Sequence, residues 1–157
     1  MIPELQGFAL IFGTTHQLFH RALEGITPGQ ALQRRDGANP ILWIAGHVVT
    51  VRSSFLRSIG GMVEVPWARH FPRGGEVKDE ALWPSLNEVR AKWDEVHKAF
   101  MSRLEMQTAA QVMATTENPS LDKTLLGTLG LATLHDGYHV GQLAAARRLF
   151  GLERIVG

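Results

Sequence analysis

The sequence predicts an all-α protein, a four-helix bundle with a long crossover loop between helices 2 and 3. Three observations carry that expectation. Apolar residues recur at steps of three and four along four long segments, the spacing of one buried helix face. No stretch of any length alternates apolar and polar residues as a half-buried strand would. The connection from 61 to 84, with Pro66, Pro72 and Pro84 among its glycines, is long and too apolar for a free linker, so it is expected to pack over the bundle.

The first helix is read from Leu5, Phe8, Phe12, Thr15, Phe19, Ala22 and Ile26, with Pro3 in its first turn and Gly25 at its end. A loop follows, with one short turn after Thr27-Pro28. Asn39 as the cap and Pro40 as the first helical residue start the second helix, which runs through "ILWIAGHVVTVRSSFLRSI" to Gly60-Gly61. Ser85 and Glu88 form a capping box for the third helix, which extends to about Met106 with Leu86, Val89, Trp93, Phe100 and Leu104 inward. "TAAQVMA" from Thr108 is at most a short helix. The fourth runs from about Lys123 to Phe150, with Gly151 placed to cap it.

With 157 residues and no internal repeat, the chain is expected to form one domain over 1–157. Sixteen basic against fifteen acidic side chains leave a net charge of +1, too balanced for a phosphate-tracking surface, so no nucleic-acid partner is expected. Arg34-Arg35 and Arg147-Arg148 read as solvated pairs. There is no cysteine, which excludes disulfides, thiolate ligands and a cysteine nucleophile; any metal must be held by His, Asp or Glu. The N-terminal stretch lacks the basic flank of a signal peptide and no segment is long and apolar enough to span a membrane, so a cytoplasmic protein with no membrane partner is expected.

The chemistry lies in "TLHDGYHVGQLAAARRLFG". His135 and His139 fall on the line Thr128, Ala132, His135, His139, Gln142, Ala146, Leu149, a heptad seam facing the core. At i and i+4 their Cβ atoms are about 5–6 Å apart, close enough to converge on one ion. Such a pair can equally be two core histidines hydrogen-bonded to neighbours. Burying them without partners would cost about 1–3 kcal/mol each, so something polar must face them. Gly137, Gly141 and Ala132 leave room beside the pair. For a third ligand, His47 shares a face with Ile44, Val51 and Phe55, and His97 lies between Trp93 and Phe100 on the inward line of the third helix. Periodicity favours these two and does not choose between them. His16 and His20 make a second HxxxH pair that flanks the seam of the first helix.

"NPILWIAGHVVTVRSSFL" and "HDGYHVGQLAAARRLFG", with "HFPRGGEV" and "ALWPSLNEVRAKWDEV" between them, resemble the DinB-like (DinB/YfiT) superfamily from about Thr27 to Gly151. The resemblance implies a four-helix bundle, usually a homodimer, with a divalent metal held by His47, His135 and His139. His97 is then a core or pocket-lining residue, and His16 and His20 are structural or surface residues.

Three imidazoles suit Zn²⁺ or Ni²⁺ and leave a coordination position open, the mark of a catalytic site. An ion there acidifies a bound water or thiol. With no cysteine in the chain, the thiol has to be a low-molecular-weight cosubstrate. Some relatives look like metal-dependent thiol S-transferases or isomerases, and a similar bundle forms part of ergothioneine-pathway enzymes. The expectation is therefore a metal-dependent enzyme on a small molecule, of thiol S-transferase type. The alternatives are a non-catalytic metal- or ligand-binding bundle, a metal-free bundle with core histidines, or a metal-dependent hydrolase.

A zinc peptidase is excluded: "HDGYH" puts Asp where HExxH has Glu, and of the few residues after His139 only Glu153 could be a third ligand. Asp136 is expected to support a ligand from behind or to face solvent. Gln142 and His97 are the candidate substrate-binding residues, Trp43 and Trp67 are pocket or core aromatics, and Tyr138 is expected at a helix–helix or dimer contact.

Overall fold

The computed structural model describes residues 1–35, 37–72, 74, 80–117 and 122–156. Among them the α-helices are α1 Pro3–Leu23, α2 Pro28–Leu32, α3 Ile41–Ser58, α4 Leu86–Glu105, α5 Ala109–Val112 and α6 Leu125–Arg148. β pairing among the described residues is one isolated bridge, Thr115 to Thr124. No helix among them is long and apolar enough to cross a membrane.

The four long helices form the bundle. Helices α1 and α3 each pack against both α4 and α6. The order around the ring is therefore α1, α6, α3, α4, with the α3–α6 and α1–α4 seams on opposite sides. Leu5, Phe12 and Phe19 of α1, Ala45 and Leu56 of α3, Trp93 and Phe100 of α4, and Leu129 and Leu143 of α6 fill the interior. Each large apolar side chain so buried contributes about 1.5–3 kcal/mol. That outweighs the poor propensity of α6, whose interior glycines each cost about 1 kcal/mol relative to alanine.

Local signals place the helix ends. Ser85 and Glu88 close the capping box of α4, and Thr108 with Gln111 does the same for α5. Gly60, at φ +77°, takes the left-handed conformation that ends α3. The start of α3 differs from expectation. Pro40 is itself the cap, with ψ 145°, and accepts the first helical hydrogen bond from Ile44 N at 3.1 Å; no side chain caps this end. The proline ring restricts φ alone, so an extended ψ leaves Pro40 half outside the helix and Asn39 one residue too early.

The crossover from α3 to α4 packs over the bundle as expected, burying Val63, Val65 and Phe71. Phe71 packs closely against the backbone of Gly46 in α3: a Cβ there would stand 2.5 Å from its ring. This close approach brings the Phe71 carbonyl beside His47. Positions 73 and 75–79 of the crossover, which include part of the motif "HFPRGGEV", lie outside the described residues.

Two assignments on α6 are corrected, one inward and one solvated. Leu149 is 42% exposed, because the helix ends at Arg148 and the chain turns away. Arg147 is buried rather than solvated, donating to Arg21 O at 2.8 Å and Glu24 O at 3.1 Å at the C-terminal end of α1, where Arg21 O also accepts from Glu24 N.

Candidate metal centre

His47 stands on α3 and His135 and His139 on α6, and the ring order makes these two helices neighbours. One nitrogen from each of the three rings can be chosen so that all lie within 4.8 Å of one another. Ring centroids are 4.4 Å apart for His135–His139, 4.8 Å for His47–His139 and 5.3 Å for His47–His135. His97 is not part of this group. It stands on α4, diagonal to α6 in the ring, and stacks on His16 with centroids 4.0 Å apart.

The orientation of each ring is set from behind. His47 Nδ1 donates to Phe71 O at 3.0 Å, His139 Nδ1 to Gln142 Oε1 at 2.7 Å, and His135 Nδ1 to Asp136 Oδ1 at 3.3 Å. A carbonyl, an amide oxygen and a carboxylate can only accept, so each Nδ1 carries the proton and each Nε2 presents a lone pair. His47 Nε2 and His135 Nε2 are 3.3 Å apart. Two neutral rings so arranged meet lone pair to lone pair, which is repulsive unless a cation lies between them. The separation also matches the edge of a tetrahedron with ligands about 2.05 Å from its centre, about 3.3–3.4 Å. The residues therefore fit a divalent ion with imidazole preference, and oxygen partners on the far nitrogens are the usual support of metal-ligating histidine.

Electrostatics agree. Burial, with His135 beside it, lowers the His139 pKa to about 4, which keeps that ring a neutral ligand at ordinary pH. His47 stacks on Trp43 with centroids 5.0 Å apart and planes 6° from parallel. That contact and the Phe71 carbonyl hold the ring on two sides. Trp43 is thus a buried support of the site, with its Nε1 lacking a hydrogen-bond partner among the described residues.

Asp136 is wholly buried, which corrects the solvent-facing alternative. Arg52 of α3, also wholly buried, donates to Asp136 Oδ2 from Nε at 2.5 Å and from Nη2, leaving Oδ1 toward His135. The guanidinium lies over the rings of Phe12, Trp93 and Phe100, at 4.4, 4.7 and 5.0 Å from their centroids. Asp136 is thus engaged behind His135, the wrong place for the acid of an HExxH site. Sequence reasoning missed Arg52. The signal was present: Ile41, Ala45, Val48, Arg52 and Leu56 form one apolar line interrupted by a single charge.

Gln142 lies against His139 and also donates to Tyr138 Oη at 3.1 Å. Tyr138 is 62% exposed and sets its ring edge-on to His139, so among the described residues it does not pack into a helix–helix contact. Gln142 borders an open pocket of about 370 Å³ whose wall includes Asn39, Ile44, Ala145 and Ala146.

Comparison with known protein families matches residues 11–143 to the DinB superfamily. The chain belongs to the DinB superfamily. No curated protein matches it. Among solved structures, this DinB-superfamily chain is similar to YfiT from Bacillus subtilis, described as a probable metal-dependent hydrolase with an unusual four-helix bundle topology. The match has a TM-score of 0.70 at 17% identity and covers 98% of this chain and 91% of YfiT. At that identity the likeness establishes the fold.

Proposed function

We propose that this DinB-superfamily protein is a metal-dependent enzyme acting on a small molecule, with His47, His135 and His139 holding a divalent ion such as Zn²⁺ or Ni²⁺. The observation that carries the reading is the set of three Nδ1 protons, each engaged by an oxygen, which leaves an Nε2 lone pair on each ring of a cluster whose ligand nitrogens lie within 4.8 Å of one another. An ion held by three imidazoles supplies Lewis acidity and lowers the pKa of a water or thiol that it binds.

The chain's own groups then orient and exclude. Phe71 O, Gln142 and the Asp136–Arg52 pair hold the rings in place, while Trp43 closes one side of His47 against water. Gln142 also borders the neighbouring pocket, where it positions substrate. The described lining of that pocket (Gly37, Ala38, Asn39, Ile44, Gln142, Ala145, Ala146 and Leu149) carries no ionisable side chain. A low-molecular-weight thiol starts from a pKa well below that of water, so an ion held there ionises it more readily. We therefore favour such a thiol as cosubstrate: it gives up its proton to water and its sulfur displaces the leaving group of an electrophilic small molecule. Hydrolysis is the second reading, favoured by the description of YfiT.

Metal-stripped protein reloaded with Zn²⁺ or Ni²⁺ should consume low-molecular-weight thiols in the presence of a fluorogenic electrophile, and His139→Ala should not. Turnover of ester or amide substrates without any thiol would move the assignment to hydrolase. Failure of the wild type to bind either ion would remove the enzyme reading altogether.

We also propose a homodimer through the exposed face of α6. Leu134 and Tyr138 are 69% and 62% exposed there, beside Gly130, Gly137 and Gly141, where an added Cβ would meet nothing within 4 Å. Light scattering should give twice the 17.4 kDa chain mass, and Leu134→Glu should halve it.

A further inference from the structure

A second cluster of ligand-type side chains lies across the bundle from the three histidines. His16 and His20 are one turn apart on α1, and Asp94 reaches them from α4. His16 Nε2 is 2.8 Å and His20 Nε2 is 2.6 Å from the same carboxylate oxygen, Asp94 Oδ1. We propose that His16, His20 and Asp94 form a second binding site for a late first-row divalent cation, Zn²⁺ above all, bridging the α1–α4 seam.

Two imidazoles and a carboxylate are a common ligand set for such ions, and three protein ligands leave the remaining positions to water. The bland alternative is a carboxylate oxygen that accepts two N–H bonds. Two features argue for more. The His16 ring is oriented in advance, stacked against His97 at 4.0 Å and Trp93 at 5.9 Å, with planes within 15° and 23° of parallel. Ordering it around an ion therefore costs little rotamer entropy.

The charge balance also suits a cation. Burial lowers the His16 pKa against the opposing hydrogen bond to Asp94, with His20 adding to the lowering, and the net direction favours the neutral, ligating ring. Burial acts to raise the Asp94 pKa, yet the two imidazoles hold it below the usual carboxylate value, which favours the anion.

The present contacts are shorter than the roughly 3.3 Å between neighbouring ligands of a tetrahedral ion. Binding thus requires Asp94 to swing outward by about half an ångström, judged against that ligand spacing. Its side chain is 56% exposed and has the space to do so. His97, nearly parallel to His16, cannot direct a lone pair to the same point; it positions the His16 ring and is not a ligand.

Calorimetric titration of metal-stripped protein with Zn²⁺ alone tests the proposal. The wild type should bind two ions per chain. His47→Ala/His139→Ala, which lacks the first centre, should still bind one. Adding Asp94→Asn or His20→Ala to that variant should abolish the remaining binding, with an unchanged far-UV circular dichroism spectrum. Should the double variant fail to fold, Asp94→Asn in the otherwise intact protein gives the same answer as a drop from two ions to one. A His47→Ala/His139→Ala protein that folds and binds no Zn²⁺, or binds one ion regardless of Asp94 and His20, overturns the proposal. Either result leaves the three-histidine centre to be judged on the Asp94→Asn protein.

Discussion

Both the Nε and Nη2 of Arg52 donate to Oδ2 of Asp136 in the centre of the bundle, while Oδ1 of the same carboxylate faces His135 Nδ1. One buried ion pair thereby joins the core packing of α3 to the aim of a histidine on α6. The pair also explains why a charge is tolerated among Phe12, Trp93 and Phe100: their ring faces and the carboxylate offset part of the hydration that the guanidinium loses, although its buried Nη1 finds no hydrogen-bond partner among the described residues.

Breaking the pair separates its two roles. Asp136→Asn leaves Arg52 buried without its counter-charge and should lower stability by about 3–5 kcal/mol in urea unfolding. Arg52→Met/Asp136→Leu should recover most of that loss, since an apolar pair of similar volume needs no desolvation. It should not recover metal affinity, which should stay about 10–100-fold below wild type because His135 has lost its acceptor. Affinity returning together with stability would show that Asp136 acts only in folding.

Gly46→Ala tests the contact by which the crossover reaches the site. Its Cβ would stand 2.5 Å from the Phe71 ring, so Phe71 must move and its carbonyl with it. Overpacking of this kind costs about 1–3 kcal/mol. Metal affinity, read by competition with a chromophoric chelator, should fall by at least tenfold, as for lost support of a ligand. Unchanged affinity would mean that Trp43 stacking alone holds His47.

Gln142 offers a graded test. Gln142→Glu keeps an oxygen acceptor for His139 Nδ1 and should retain or raise metal affinity. Gln142→Met removes the acceptor and should lower affinity about 10–100-fold. Equal affinities would confine Gln142 to the pocket.

Proton uptake on unfolding gives a pH signature of the metal-free protein. Burial, with His135 next in effect, sets His139 at about 4; burial, with His16 next, sets His97 at about 4. In the unfolded chain both return to the ordinary 6.5. Between those values the unfolded state binds more protons, so the stability is fully present above 6.5 and falls as the pH drops toward 4. The urea midpoint of metal-stripped protein should decline across that window, and His97→Leu should flatten the decline. An undiminished slope in His97→Leu would remove that ring from the account.

Much of the bundle was legible in the order of residues alone. The 3–4 lines of α1 and α4 named residues that are buried, Phe8 and Leu86 only in part, and Ser85 with Glu88 marked a helix start that the hydrogen bonds confirm. These signals are readable because a capping box or an apolar stripe is completed within a few residues. The ends of α3 and α6 were less legible. Whether Pro40 is half or wholly helical, and where Leu149 turns, depends on ψ values and packing that residue identity does not dictate.

Helix periodicity by itself determined that His47, His97, His135 and His139 sit on or beside inward faces; which of them meet was left open by it. The tertiary structure decided that, because a stripe specifies a face and not the neighbour it faces. The ring order places α3 beside α6 and α4 diagonal to it, so His47 joins the pair while His97 goes to His16. The same holds for Arg52 and Asp136, visible only as isolated charges on apolar lines until a contact spanning 84 positions brings them together. Sequence spacing reports what one helix does with its own turns; partners from separate helices exist only once burial of the whole core has set those helices side by side.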